Sequence, residues 1–203
     1  GDHRDLHSFP TRRSSDLPAA DIKRLKVDAF DRSNDLKPLS VVTGDIIAKN
    51  AYEWSKATES PLAQAAVRGA EKITVRPLLG HSGKAVKLPK GASLSYDFYC
   101  DKSGDARFTI AAIPCFLNAV KDMRVSVSID RGEPVICQLK EVYNSKDWQF
   151  DLWRGQTLKS FYVTLPGGSH NVTIKALDDN VMIDQWVLDY DADREYYVFP
   201  VAK

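Results

Sequence analysis

Leu165-Pro-Gly-Gly-Ser-His-Asn-Val-Thr-Ile-Lys-Ala-Leu177 holds a chain reversal and the strand that leaves it. Pro166, Gly167, Gly168 and Ser169 are turn formers: proline pre-sets one backbone angle and glycine reaches positive φ without a steric cost. Beyond them Val172, Ile174 and Ala176 alternate with Asn171, Thr173 and Lys175. That period of two belongs to a strand with one face in a core and one in water. Upstream, Leu94-Ser-Tyr-Asp-Phe-Tyr99 sets Leu94, Tyr96 and Phe98 on one face, and Val125, Val127 and Ile129 repeat the pattern.

Working outward, the same texture predicts strands at Ile46 to Trp54, Ile73 to Leu78, Ala85 to Leu88, Ala106 to Ile113, Val135 to Leu139, Gln149 to Trp153, Ser160 to Leu165 and Met182 to Leu188. Pro89-Lys-Gly91, Lys102-Ser-Gly104 and Asp130-Arg-Gly132 supply reversals between them. Short strands at regular spacing, joined by hairpin turns, predict an all-β chain, and this number of strands suits a jelly-roll, two-sheet β-sandwich.

The chain of 203 residues is 43% hydrophobic and 27% charged with a net charge of +1, the composition of an ordinary folded domain. A near-neutral balance without basic blocks argues against nucleic acid as a partner, and no apolar run is long enough for a membrane helix. Cys100, Cys115 and Cys137 lie far apart without a zinc-type pair and read as small buried hydrophobes.

Residues 1–17 stand apart. His7-Ser-Phe-Pro-Thr-Arg-Arg-Ser-Ser-Asp16 is the translation of CAC TCT TTC CCT ACA CGA CGC TCT TCC GAT, which resembles a sequencing adapter, so this stretch is set aside as an artefact. Residues 18–44 are charged and irregular, as in a linker remnant from an upstream domain. The expected organisation is therefore an irregular N-terminal extension followed by a sandwich over residues 45–203, in a fragment without its catalytic domain.

Motifs for chemistry are incomplete. Gly80-His-Ser-Gly83 fails as a nucleophile elbow because Lys84 replaces the second glycine, and it fails as a phosphate loop as well; it reads as a tight turn. Asp189-Tyr-Asp-Ala-Asp193 begins with calcium-loop spacing, but Arg194 and Pro200 occupy the turn and bidentate positions, so it reads as a polar turn. Asp184 and Asp189, the best-placed acids for glycoside hydrolysis, are five apart and would face opposite ways on a regular strand. No catalytic set, metal or cofactor is expected. Aromatic side chains remain as sugar-stacking candidates beside polar neighbours: Tyr52, Trp54, Asn118, Trp148, Trp153 and Arg154 are the nominated binding residues.

Leu78-Leu-Gly-His-Ser-Gly-Lys-Ala-Val86, Arg124-Val-Ser-Val-Ser-Ile-Asp130, Trp153-Arg-Gly-Gln156, Leu165 to Asp178, Ile183-Asp-Gln-Trp186 and Arg194-Glu-Tyr-Tyr-Val-Phe-Pro200 come in that order. Together they resemble the C-terminal β-sandwich module of glycoside hydrolase family 115, the xylan α-glucuronidase family. The resemblance implies a galactose-binding-like sandwich behind an upstream catalytic barrel. It also implies a periplasmic or extracellular location, and a role in attachment to plant cell-wall polysaccharide, in domain packing or in homodimer contact. The alternative role is protein association through exposed aromatics. Modules of this build often open with Ile-Glu-Ala-Glu, whose acids help hold calcium. Ile46-Ile-Ala-Lys49 stands there instead, leaving only Asp184 as a remnant, so no calcium is expected.

Overall fold

The computed structural model describes residues 45–115, 122–196 and 199–200. The adapter-like stretch, the linker remnant and Asn118 lie outside them. The strands are β1 (Ile46–Asn50), β2 (Lys56–Thr58), β3 (Thr74–Pro77), β4 (Lys84–Leu88), β5 (Ser93–Cys100), β6 (Gly104–Ala112), β7 (Arg124–Ile129), β8 (Val135–Gln138), β9 (Thr157–Leu165), β10 (Gly168–Ala176) and β11 (Val181–Asp189). Among the described residues two helices interrupt them, α1 (Pro61–Gln64) and α2 (Lys146–Arg154).

The first sheet runs β3-β4-β11-β6-β9, with β1 also paired to β11. The second runs β2-β5-β10-β7-β8. Every pairing between them is antiparallel, so the all-β sandwich read from the alternation is the fold. β4 holds Val181 to Ile183 of β11 and β1 holds Gln185 to Asp189, with a register shift between Ile183 and Gln185. Asp184 occupies that bulge. Simple alternation from Asp184 to Asp189 therefore does not apply, because a bulge inserts an unpaired residue.

The core fills from both sheets: Leu94, Tyr96 and Phe98 of β5 and Val172 and Ile174 of β10 meet Phe108, Ile110, Ile183, Trp186 and Leu188. Trp186 is fully buried, stacked on Phe108 at 5.3 Å and edge-on to Tyr96 and Phe98 at 5.6 and 5.5 Å. The Tyr96 hydroxyl donates to Ala51 O at 2.8 Å, and burial pushes its phenol far above the ordinary range.

A strap formed by residues 190–196 and 199–200 closes the outer face of the first sheet. Phe199 and Tyr196 pack on Ala111, Val187, Ile46, Ala48 and Leu158. Tyr196 donates its hydroxyl to the buried Asp189 carboxylate, and Arg107 lies over the Tyr196 ring at 5.3 Å while donating to Ala192 O at 2.9 Å and to Arg194 O. Burial first, and then the bond to Asp189, push the Tyr196 phenol upward. Asp189 Oδ1 and Asp191 Oδ1 each accept the backbone N–H two residues on, so Asp189 to Asp193 forms the polar turn read from its composition.

One expected strand proves to be a helix. Gln149–Trp153 is not a strand but part of helix α2. Its aromatic content suits a strand, and five residues are too few to separate the two periods. The ends decide it: the Ser145 side chain caps the N-terminus by accepting from Trp148 N at 3.1 Å, Asp147 and Arg154 complement the helix dipole, and Gly155 ends it at φ 69°.

Candidate functional site

Asp184 is fully buried, and its carboxylate is the anchor of three chain segments. Oδ2 accepts from His81 N at 2.7 Å and Gln156 Nε2 at 2.8 Å; Oδ1 accepts from the Ser82 hydroxyl at 2.5 Å and Ser82 N at 3.2 Å. Gly80, at φ 79°, makes this approach possible, because a Cβ there would lie 2.3 Å from Oδ1. The Gly80-His-Ser-Gly83 motif is thus a backbone cradle for an internal carboxylate. Four donors fill the acceptor directions of the two oxygens, which leaves Asp184 committed to holding the fold. Further along the same loop, His81 Nε2–H donates to Arg154 O at 2.9 Å and ties the cradle to the end of α2.

The nominated aromatics are dispersed around this anchor. Tyr52 and Trp54 are half-buried and pack on the core; Tyr52 Oη accepts from Asn50 Nδ2 at 3.1 Å, and Lys84 Nζ sits 5.2 Å from the Tyr52 ring centre. Trp148 is half-buried on α2, edge-on to Tyr143 at 5.1 Å. Trp153 is 78% exposed, edge-on to Phe150 at 5.7 Å, and Arg154 follows it into solvent. Trp148, Trp153 and Arg154 share one helix, while Tyr52 and Arg154 each touch the segment from Leu78 to Lys84. Exposed Phe150, Leu152 and Trp153, with Val142 and Tyr143 before the helix, make α2 an apolar stretch of the described surface.

A second surface lies on the outer face of the second sheet. The polar phase of β5 and β10 puts Asp97 opposite Asn171 and Tyr99 opposite Ser169. Along this face Ser95 Oγ and Thr173 Oγ1 lie 2.8 Å apart, Thr173 Oγ1 donates to Asn171 Oδ1 at 3.2 Å, and Asn171 Nδ2 donates to Asp97 Oδ1 at 2.7 Å. Tyr99 is 63% exposed beside them. Asp97, Tyr99 and Asn171, with Asp130, Ser169 and His170, line an open cleft of about 570 Å³. The aromatic in the polar phase of Leu94 to Tyr99 was the available sequence signal for it.

His170 supports the cleft from below. Its Nδ1 lies 2.5 Å from Asp130 Oδ2 and its Nε2 2.8 Å from Pro166 O. A carboxylate and a carbonyl oxygen only accept, so this geometry favours the imidazolium, which has a hydrogen on both ring nitrogens. Burial works against that charge, but the bonds to Asp130 and Pro166 and the Asp130 charge outweigh it and raise the His170 pKa above 6.5. Partial burial likewise opposes the Asp130 charge, and the His170 bond, the Asn171 N–H and the His170 charge outweigh it and lower the Asp130 pKa below 3.8. The His170 contribution is full below pH 6.5 and fades as pH rises through its folded pKa; that of Asp130 is full above pH 3.8 and fades as pH falls through its folded pKa. Thermal melts of wild type and Asp130→Asn should therefore differ most between about pH 4 and 6.5, and the difference should shrink as pH rises through the folded His170 pKa. The effect is modest because Asp130 is half-exposed and screened. A difference independent of pH would refute the pairing.

Comparison with known proteins fits this architecture. The profile of the glycosyl hydrolase family 115 C-terminal domain matches residues 43–202. Among solved structures, the family GH115 4-O-methyl-α-glucuronidase BtGH115A, described as specific for decorated arabinogalactans, is similar at 26% identity and a TM-score of 0.53. The similarity covers 66% of this chain and 17% of that enzyme, so this chain spans about a sixth of its length. The GH26-CBM35 β-(1,4)-mannanase of Podospora anserina shares the fold at 14% identity and a TM-score of 0.51, over 75% of this chain and 29% of that one. No curated protein matches the chain significantly. With the profile extending over most of the chain, from just before β1 to the end of the strap, the chain belongs to the family of glycosyl hydrolase family 115 C-terminal domains.

Proposed function

We propose that this domain is an accessory module of a secreted or periplasmic, α-glucuronidase-type glycoside hydrolase acting on plant cell-wall polysaccharide, and that it holds a glycan chain in the cleft beside Tyr99. The observation that carries the reading is an exposed aromatic ring flanked by Asp97, Asn171 and Ser169 on an open sheet face. A sugar stacks its C–H face on such a ring while polar side chains take its hydroxyls. Asp184, by contrast, is buried under four donors, which favours binding over catalysis.

Affinity electrophoresis of the chain in gels containing glucuronoxylan, galactan or pectin tests this. Retardation is expected on at least one polymer, and Tyr99→Ala should weaken it about three- to tenfold, the worth of one aromatic contact. Free migration in all three gels, or equal retardation of Tyr99→Ala, would remove the cleft as a glycan site. A second reading, protein association, is favoured by the apolar patch of Phe150, Leu152 and Trp153. Self-association measured by light scattering is its test.

A further inference from the structure

We infer that the cleft on β5 and β10 takes uncharged stretches of polysaccharide and discriminates against uronate-bearing ones. This rests on the glycan-binding reading above. Among the described residues, no lysine or arginine lines the cleft; its charged groups are Asp97, Asp130 and His170. Asp130 and His170 face each other at 2.5 Å and cancel. Asp97 is left over. Its side chain meets the neutral amide of Asn171, and among the described residues it makes no ion pair.

The cations nearby stand outside the lining. Lys56 is opposite Ser95 on the neighbouring strand β2, and Arg131 follows Asp130 into the turn before β8. Lys175 shares the Asn171 face of β10 but sits opposite Ser93, roughly 13 Å along the strand, beyond a Debye length at physiological salt. Among the groups that line the cleft, the charge left without a counter-ion is therefore that of Asp97. A carboxylate only accepts hydrogen bonds, so it suits the hydroxyl donors of a neutral sugar and opposes the acceptor oxygens of a uronate. Two like charges about 6 Å apart at a wet protein surface cost enough to change affinity about three- to tenfold.

The experiment compares glucuronoxylan and a glucuronidated arabinogalactan with their carboxyl-reduced derivatives, which differ from them in having a hydroxymethyl group in place of each carboxylate. Binding is measured on the full chain by affinity electrophoresis. The reduced form of the bound polymer should be held about three- to tenfold more tightly at low salt, and the ratio should fall toward one in about 1 M NaCl and in Asp97→Asn. Equal or tighter retention of the uronate-bearing form by wild type overturns the inference and leaves the glycan site standing. A preference that survives both salt and Asp97→Asn also overturns it, because charge is then not the cause. If no polymer is retained, or Tyr99→Ala binds like wild type, the glycan-site reading falls and this inference falls with it.

Discussion

Asp184→Ala is expected to destabilise the domain by about 2–4 kcal/mol, because it orphans one fully buried donor and three part-buried ones, worth about 1–3 kcal/mol where water cannot reach them, while the loop recovers part of the loss by relaxing toward water. Those donors are His81 N, Ser82 N, the Ser82 hydroxyl and Gln156 Nε2. Gln156 is fully buried, and among the described residues its Oε1 already lacks a partner. Asp184→Asn should recover little, since its amide nitrogen would meet donors with a donor. Gly80→Ala approaches the same cradle from the other side, pairing a strained φ of 79° with a Cβ 2.3 Å from Asp184 Oδ1. The two alanine substitutions should therefore be non-additive, the double variant losing clearly less than the sum. Urea unfolding measures all three. A loss below about 1 kcal/mol for Asp184→Ala, or strict additivity, would show that the cradle carries little of the fold.

Trp186→Ala should cost about 3–5 kcal/mol, the range for emptying a buried aromatic site. Its ring is the meeting point of the two sheets, touching Phe108 from its own sheet and Tyr96 and Phe98 from the other. Set against a typical total stability of about 5–15 kcal/mol, this is a large share. Trp186→Phe separates packing from hydrogen bonding. Among the described residues the indole Nε1 has no hydrogen-bond partner, so phenylalanine sacrifices only volume and should cost about 1–2 kcal/mol. Near-equal losses for the two variants, read by urea unfolding and near-UV circular dichroism, would mean that the indole nitrogen matters after all.

Strands with one wet face were readable because a single residue shift would invert every side chain on them. That holds for β5, β7 and β10, whose alternation predicts their buried faces. β1 was read too long: the strand stops at Asn50, where Asn50 N donates to Glu53 Oε2 and Glu53 N to Asn50 O, closing a turn within a sequence that stays aromatic. Helix α2 was hidden by composition and revealed by its caps. The Asp184 cradle was visible as two separate motifs, but the bonds that join them span more than a hundred residues, and nothing local in either motif states that the other completes it. Tyr99 was passed over because alternation reports which face a side chain occupies, whereas a cleft depends on what the neighbouring strand places beside it.

The pairing of β1 with β11 also fixes how the domain meets tension. Ile46 stands opposite Asp189, and Tyr190 N donates to Asp45 O at 2.9 Å, so the first and last strands enter and leave at the same end of one antiparallel ladder. A pull applied across that end loads the ladder one hydrogen bond at a time, as a zipper, rather than shearing all of them together. The strap opposes this. By anchoring Phe199 on Val187 and Tyr196 on Asp189, and packing both rings with Ile46 and Ala48, it makes Tyr196 and Phe199 a mechanical clamp on the first strand.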